Sequence, residues 1–131
     1  MGKYSAKPSD GAVWITGASE GIGKAVALEM ANEGYTVYAS ARSQDKLTEL
    51  ADAYSGKGKL IALPLDVTDR KACERCVKQI VDERGALAVA ILNAGTFAPV
   101  IGKAMAYASF DRTIDVNVNG VLNCLLPRLK K

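Results

Sequence analysis

Apolar positions along this chain alternate between two periods. Four short apolar runs predict strands: Ala12-Val13-Trp14-Ile15, Tyr35 to Ala39, Leu60 to Leu65, and Ala86 to Leu92. Between them the apolar residues take helical spacing. Ile22, Ala25, Val26 and Met30 mark one face of a first helix, which Gly34 ends. Leu47, Leu50, Ala51 and Tyr54 keep that spacing behind Ser43, a candidate N-cap, until Gly56 and Gly58 break it. Thr68 is the expected cap of a third helix running to Gly85, with Asp69 suited to its positive end. A glycine- and proline-containing loop follows the fourth strand, and a long helix is expected from about Ser109 to Leu126.

Strict alternation of strand and helix implies an α/β fold with a parallel sheet and right-handed crossovers. The expectation is a partial Rossmann-type doubly wound parallel sheet, strand order 3-2-1-4, with flanking helices. Its ligand site would lie at the switch point between strands 1 and 4. Ala86 to Leu92 is apolar on both faces, the mark of an interior strand covered by helices on both sides. No strand is expected after it, which leaves that strand as an exposed edge.

Composition narrows the class. The 131 residues suffice for one core, and 49% hydrophobic with 24% charged residues is ordinary for a globular domain. A net charge of +3 is too mild to argue for nucleic acid or membrane surfaces as partners. The longest apolar run, Ala86 to Leu92, falls far short of the ~18 residues of a membrane span. Met1 to Gly11 has no signal-peptide core, and Ala6 stands where a myristoylation motif has Ser or Thr. Residues 1–11 are read as a loose tail, and a cytoplasmic location is expected. The absence of histidine removes histidine metal sites and Ser-His nucleophiles. Cys73 and Cys76 share a helical stripe with Val77, Ile80 and Val81, so core packing is expected of them rather than metal or redox work.

The first strand runs into Thr16-Gly17-Ala18-Ser19-Glu20-Gly21-Ile22-Gly23. Strand, glycine turn and helix in that order suit the pyrophosphate of a dinucleotide. Gly17 permits a tight turn, Gly21 lets a diphosphate approach the main chain, and Gly23 lets the helix lie close to the sheet. The helix start offers unpaired N–H groups and a partial positive charge, and Ser19 adds a hydroxyl. A ligand-free glycine turn is the plain alternative.

Further candidates fall at the ends of the later strands. Arg42 follows the second strand, where arginine suits the 2′-phosphate of NADP and an acidic residue would suit NAD. Asp66-Val67 ends the third strand, where a carboxylate and an amide could read an adenine edge. Asn93-Ala94-Gly95 ends the fourth, where small residues let a ring approach the backbone. A solvated arginine and two ordinary turns are the competing readings. In the long helix, Phe110, Ile114, Asn117, Val121 and Cys124 share one stripe at 100° per residue. Asn117 is polar in that apolar stripe and needs a bonding or functional role, because a buried unpaired amide costs roughly 1–3 kcal/mol. Asn119 points the other way, toward solvent.

Thr-Gly-x-x-x-Gly-Ile-Gly, Asp-Val, Asn-Ala-Gly and Asp-Val-Asn together resemble the compact branch of the short-chain dehydrogenase/reductase family, in its order, over nearly the whole chain from about Val13. The resemblance implies that residues 12–131 form a partial NAD(P)-binding Rossmann domain of an oxidoreductase. It implies hydride transfer between NAD(P)(H) and a small-molecule carbonyl or alcohol, in a homo-oligomeric parent, and Arg42 is what argues for NADP over NAD. It implies cofactor contacts from Thr16, Ser19, Ile22, Arg42, Asp66 and Asn93, and matches Asn117 to the family's catalytic asparagine.

The chain departs from the pattern in three ways. The family's Asn-Asn-Ala-Gly is Leu92-Asn93-Ala94-Gly95 here. Glu20 stands where NADP-preferring members often carry a basic residue. The active-site Ser and Tyr-x-x-x-Lys have no counterpart, since none of the five tyrosines has a lysine four residues on. The chain is therefore expected to be a C-terminally truncated oxidoreductase, inactive alone. A non-catalytic dinucleotide-binding or regulatory module is the alternative, and the extended sugar-epimerase branch fits the glycine spacing less well.

Overall fold

The computed structural model describes residues 5–97 and 106–129. Its strands are β1 (Ala12–Thr16), β2 (Thr36–Ser40), β3 (Lys59–Ala62) and β4 (Leu87–Leu92). Its helices are α1 (Gly21–Asn32), α2 (Gln44–Ala53), α3 (Arg70–Arg84), α4 (Tyr107–Ile114) and α5 (Gly120–Leu129), the last two joined by a π-helical turn, Asp115–Asn119. A single 3-10 turn, Pro8–Asp10, precedes β1, and the Tyr35 hydroxyl donates to the Ala6 carbonyl at 2.6 Å. The glycine- and proline-containing loop expected after β4 falls largely on residues 98–105, outside the described residues.

All four strands are parallel in the order β3-β2-β1-β4, as the alternation implies. The two central strands, β1 and β2, are buried along their whole length. Trp14 lies fully inside, and its indole N–H donates to the buried Ser40 hydroxyl at 2.9 Å, so a large apolar ring is buried without an orphaned donor. One core layer packs β1 and β2 against α3 and α5 through residues such as Trp14, Tyr38, Ile80 and Cys124. The other packs them against α1 and α2 through Val13, Ile15, Ala27 and Leu47.

Several elements differ from expectation. The first helix buries Gly23, Ala27 and Ala31, whereas Ile22 is 76% exposed. Small residues bring α1 close to the sheet, and the larger side chains flank that seam. The third helix is capped by Asp69, whose carboxylate accepts from the Ala72 N–H at 3.0 Å, not by Thr68. Thr68 is turned back by Asp66, which accepts both its N–H and its hydroxyl. Cys73, Cys76, Val77 and Ile80 form the buried stripe of α3 as read, but Val81 is exposed. The Cys73 and Cys124 sulfurs touch at 3.7 Å, joining α3 to α5.

The fourth strand contributes to both faces of the sheet, Leu87 and Leu92 to one core layer and Val89 and Ile91 to the other, although of its residues only Leu87 is buried. Among the described residues it pairs only with β1 and so forms an edge of the sheet. No described helix is long and apolar enough to cross a membrane.

Candidate functional site

A cleft of about 610 Å³ opens at the switch point, where the chain leaves β1 for one face of the sheet and β4 for the other. Its floor and walls come from strand ends. Gly17, Ser19 and Glu20 follow β1; Arg42 and Ser43 follow β2; Asp66 and Val67 follow β3; Asn93, Ala94 and Gly95 follow β4. Four sequence segments read separately thus converge on one concavity.

The glycine turn is shaped by two demands. Gly17 and Gly21 sit at φ +68° and +60°, which L side chains rarely adopt. Gly23 has an ordinary φ but no room: a Cβ there would lie 2.0 Å from the Gly17 carbonyl oxygen and 2.6 Å from Asn93 Nδ2. At Gly21 a Cβ would meet nothing within 4 Å, so the turn is open on that side. A tight turn, a helix start and an open outer face are what a diphosphate requires, and the residues fit a dinucleotide.

The loop after β4 is tied to this turn. Asn93 Nδ2 donates to the Gly17 carbonyl at 3.2 Å, and the Ala94 N–H donates to Thr16 Oγ1 at 3.0 Å. Thr16 is buried and acts on the cleft through that bond rather than by lining it. Gly21, Ile22, Gly23 and Asn117 also stand off the lining surface.

Asn117 belongs to the π-helical turn. There the Gly120 N–H reaches back five residues, to the Asp115 carbonyl. The extra residue breaks the 100° spacing, so Phe110 and Ile114 are 44% and 54% exposed and Asn117 is exposed too. Its amide nevertheless bonds the Thr96 backbone twice: Oδ1 accepts from the Thr96 N–H at 2.7 Å and Nδ2 donates to the Thr96 carbonyl at 2.9 Å. The buried asparagine of the helix is Asn123, which donates to the Val67 carbonyl at 2.9 Å and accepts from Arg70 Nε at 3.3 Å. Asn119, exposed as read, donates to Asp115 at 3.2 Å.

Asp66 is the titratable group of the cleft whose pKa is displaced. Burial pushes its carboxyl up, but the Thr68 N–H and hydroxyl, with Arg112 and Arg42 nearby, outweigh that and hold it below the ordinary aspartate value. At neutral pH a fixed carboxylate therefore faces two guanidinium groups across the cleft.

Among the lining residues that the motifs do not mark are two cations, Arg112 and Lys46, which only the fold brings to the cleft. Lys46 forms an ion pair with Glu20 at 3.1 Å, across 26 residues of sequence. Among the described residues no cluster of acidic or cysteine side chains could hold a metal ion.

The model of the short chain dehydrogenase family matches residues 11–130. An NADPH-dependent pterin aldehyde reductase of Arabidopsis thaliana is 39% identical over 118 residues, which cover 86% of this chain and 47% of that protein. A 3-oxoacyl-[acyl-carrier-protein] reductase of Staphylococcus aureus is 34% identical over 113 residues, covering 85% and 46%. The chain thus spans about half the length of the curated relatives it matches. Among solved structures, a short-chain type dehydrogenase/reductase from Mycobacterium marinum superposes with a TM-score of 0.85 at 35% identity, covering 93% of this chain and 50% of that one. An alcohol dehydrogenase from Thermococcus sibiricus complexed with 5-hydroxy-NADP gives 0.82 at 30% identity, covering 90% and 52%. With these matches and a sheet of the same order, the chain belongs to the short-chain dehydrogenase/reductase family.

Proposed function

We propose that this chain is the cofactor-binding part of an oxidoreductase that moves hydride between NADP(H) and a carbonyl or alcohol. The carrying observation is the cleft itself, with a glycine turn at one wall and Arg42 at another. In this reading the turn and the first N–H groups of α1 hold the pyrophosphate, whose charge suits a helix N-terminus. Arg42 holds the 2′-phosphate with a charge-assisted bond. Asp66 and the Val67 amide read the adenine edge. Asn93, Ala94 and Gly95 leave space for a ring, and Asn117 positions their loop through Thr96.

When bound, the nicotinamide supplies or accepts the hydride. Proton transfer at the substrate oxygen needs a tyrosine and lysine in the spacing that no tyrosine of the sequence has. We therefore take turnover to need residues additional to this chain, which alone binds cofactor without reducing a carbonyl. A homo-oligomeric state and a cytoplasmic location are part of the same proposal.

The test is calorimetry of NADPH and NADH binding, with Arg42→Ala beside the unsubstituted chain. A charge-assisted bond at an exposed site predicts about tenfold tighter binding of NADPH, lost in the variant. Equal affinities, unchanged by the substitution, would overturn the assignment.

A further inference from the structure

Glu20 and Lys46 meet between the glycine turn and the first turn of α2, and both line the cleft beside Arg42 and Ser43. Their side chains are 76% and 55% exposed. An exposed pair of this kind adds little to folding stability, so the fold does not depend on it. Its position does matter to a ligand. Lys46 has a flexible four-carbon stem and a compact ammonium that can change partners within reach. An anion seated at Arg42 competes with the Glu20 carboxylate for that ammonium.

We propose that Lys46 is a second specificity-determining cation for the ribose 2′-phosphate, and that Glu20 is its built-in competitor. This rests on the reading of Arg42 as the first such cation. Without a 2′-phosphate the ammonium stays on Glu20, and a ligand lacking that group leaves the pair intact. With it, the ammonium is shared with or passed to the phosphate, and the broken pair subtracts from the gain. The residue that weakens discrimination is then Glu20, and it acts mainly through Lys46.

The experiment is calorimetry on the 131-residue chain with two probes that differ by one group, adenosine 2′,5′-bisphosphate and adenosine 5′-monophosphate. The discrimination ratio is measured for Lys46→Met, Glu20→Gln, the double variant and Arg42→Ala, with circular dichroism on each. Lys46→Met is expected to lower the ratio about three- to fivefold, and Glu20→Gln to raise it by a similar factor. Lys46→Met should cost more on the Glu20→Gln background, where the ammonium is fully available to the phosphate. Raising the salt to about 0.5 M should shrink all of these differences. A ratio unmoved by Lys46→Met in both backgrounds overturns the role of Lys46, and equal costs in both overturn the competition. If Arg42→Ala abolishes discrimination while the Lys46 variants do nothing, the cofactor reading survives and this inference fails. If no substitution changes the ratio, both fail.

Discussion

Asn117 holds Thr96 by both ends of its amide: the oxygen accepts the Thr96 N–H at 2.7 Å and the nitrogen donates to the Thr96 carbonyl at 2.9 Å. The bonds tie the π-helical turn to the loop that follows β4. They also fix how that loop closes on the glycine turn, since two and three residues earlier Ala94 bonds Thr16 and Asn93 bonds Gly17. Asn117→Ala removes both bonds at an exposed site, at about 0.5–1.5 kcal/mol each. The expected result is faster hydrogen exchange at the Thr96 amide, with the β1 amides unchanged. Asn117→Asp keeps an acceptor for the Thr96 N–H but loses the donor and sets a charge against a carbonyl, so it should recover only part of the protection. Thr96 exchange unaltered in both variants would remove Asn117 from the loop's support.

Gly21 and Gly23 belong to one turn motif in the reading of this chain as a nucleotide binder, yet they fail differently when substituted. Gly21 lies at φ +60° in open space, so Gly21→Ala meets only the left-handed backbone penalty, about 1–2 kcal/mol. Gly23→Ala would press a methyl to 2.0 Å from the Gly17 carbonyl and to 2.6 Å from Asn93 Nδ2. Backbone cannot give way as a side-chain tip can, and overpacking of this kind costs about 3 kcal/mol. Urea denaturation should rank Gly23→Ala as the more damaging, with the Asn93–Gly17 contact disrupted. The reverse order would mean that the turn relaxes more easily than its contacts indicate.

The depressed pKa of Asp66 makes a directional prediction about acid stability. A carboxyl held below its unfolded value contributes stability above that value, and the contribution is lost as pH falls through the folded pKa. The affected window therefore lies below about pH 4, the unfolded aspartate range. Asp66→Asn keeps an oxygen for the Thr68 N–H and hydroxyl but cannot titrate. Its stability loss on acidification should be shallower than that of the unsubstituted chain, measured by denaturation at pH 3 and pH 6. Parallel pH profiles would show that Asp66 is not a coupled group.

Much of this architecture was legible because it rests on local rules. Strand runs, glycine turns and helix stops fix the element order, and right-handed crossovers then leave few topologies. The convergence of Ser19, Arg42, Asp66 and Asn93 follows from that order, since all lie at the same end of parallel strands. What escaped depends on geometry that sequence spacing does not carry. One extra residue in the turn at Asp115–Asn119 rotates the rest of the helix, so Asn123 and Cys124 face the core and Phe110 does not. The small-residue seam of α1 was hidden because size, not hydropathy, selects Gly23, Ala27 and Ala31. Asp66 outcompeted the expected Thr68 cap by bonding Thr68 itself. Lys46 was invisible because its partner lies in another element.

The surface of the last helices carries the remaining prediction. Ile114, Val118, Leu122, Leu126 and Leu129 are 44–65% exposed, spaced as one apolar face along α4, the π-helical turn and α5. Beside this, β4 offers an outer edge that no other described strand covers, and its residues Leu87–Leu92 carry neither charge nor proline. Apolar edges without gatekeeping residues template further strand pairing, and contiguous exposed apolar faces mark association surfaces. The isolated chain should therefore self-associate at micromolar concentration, as dimers or larger species in size-exclusion chromatography with light scattering. Val118→Asp together with Leu122→Lys breaks the apolar face without touching the buried Val116, Gly120 or Cys124, and should shift the population toward monomer while circular dichroism stays unchanged. If the edge rather than the helix face drives association, the double variant will remain associated and the amides of β4 will be protected from exchange. A monomeric unsubstituted chain with those amides protected would mean that residues outside the described segments already cover the edge, and the expectation of self-association would be wrong.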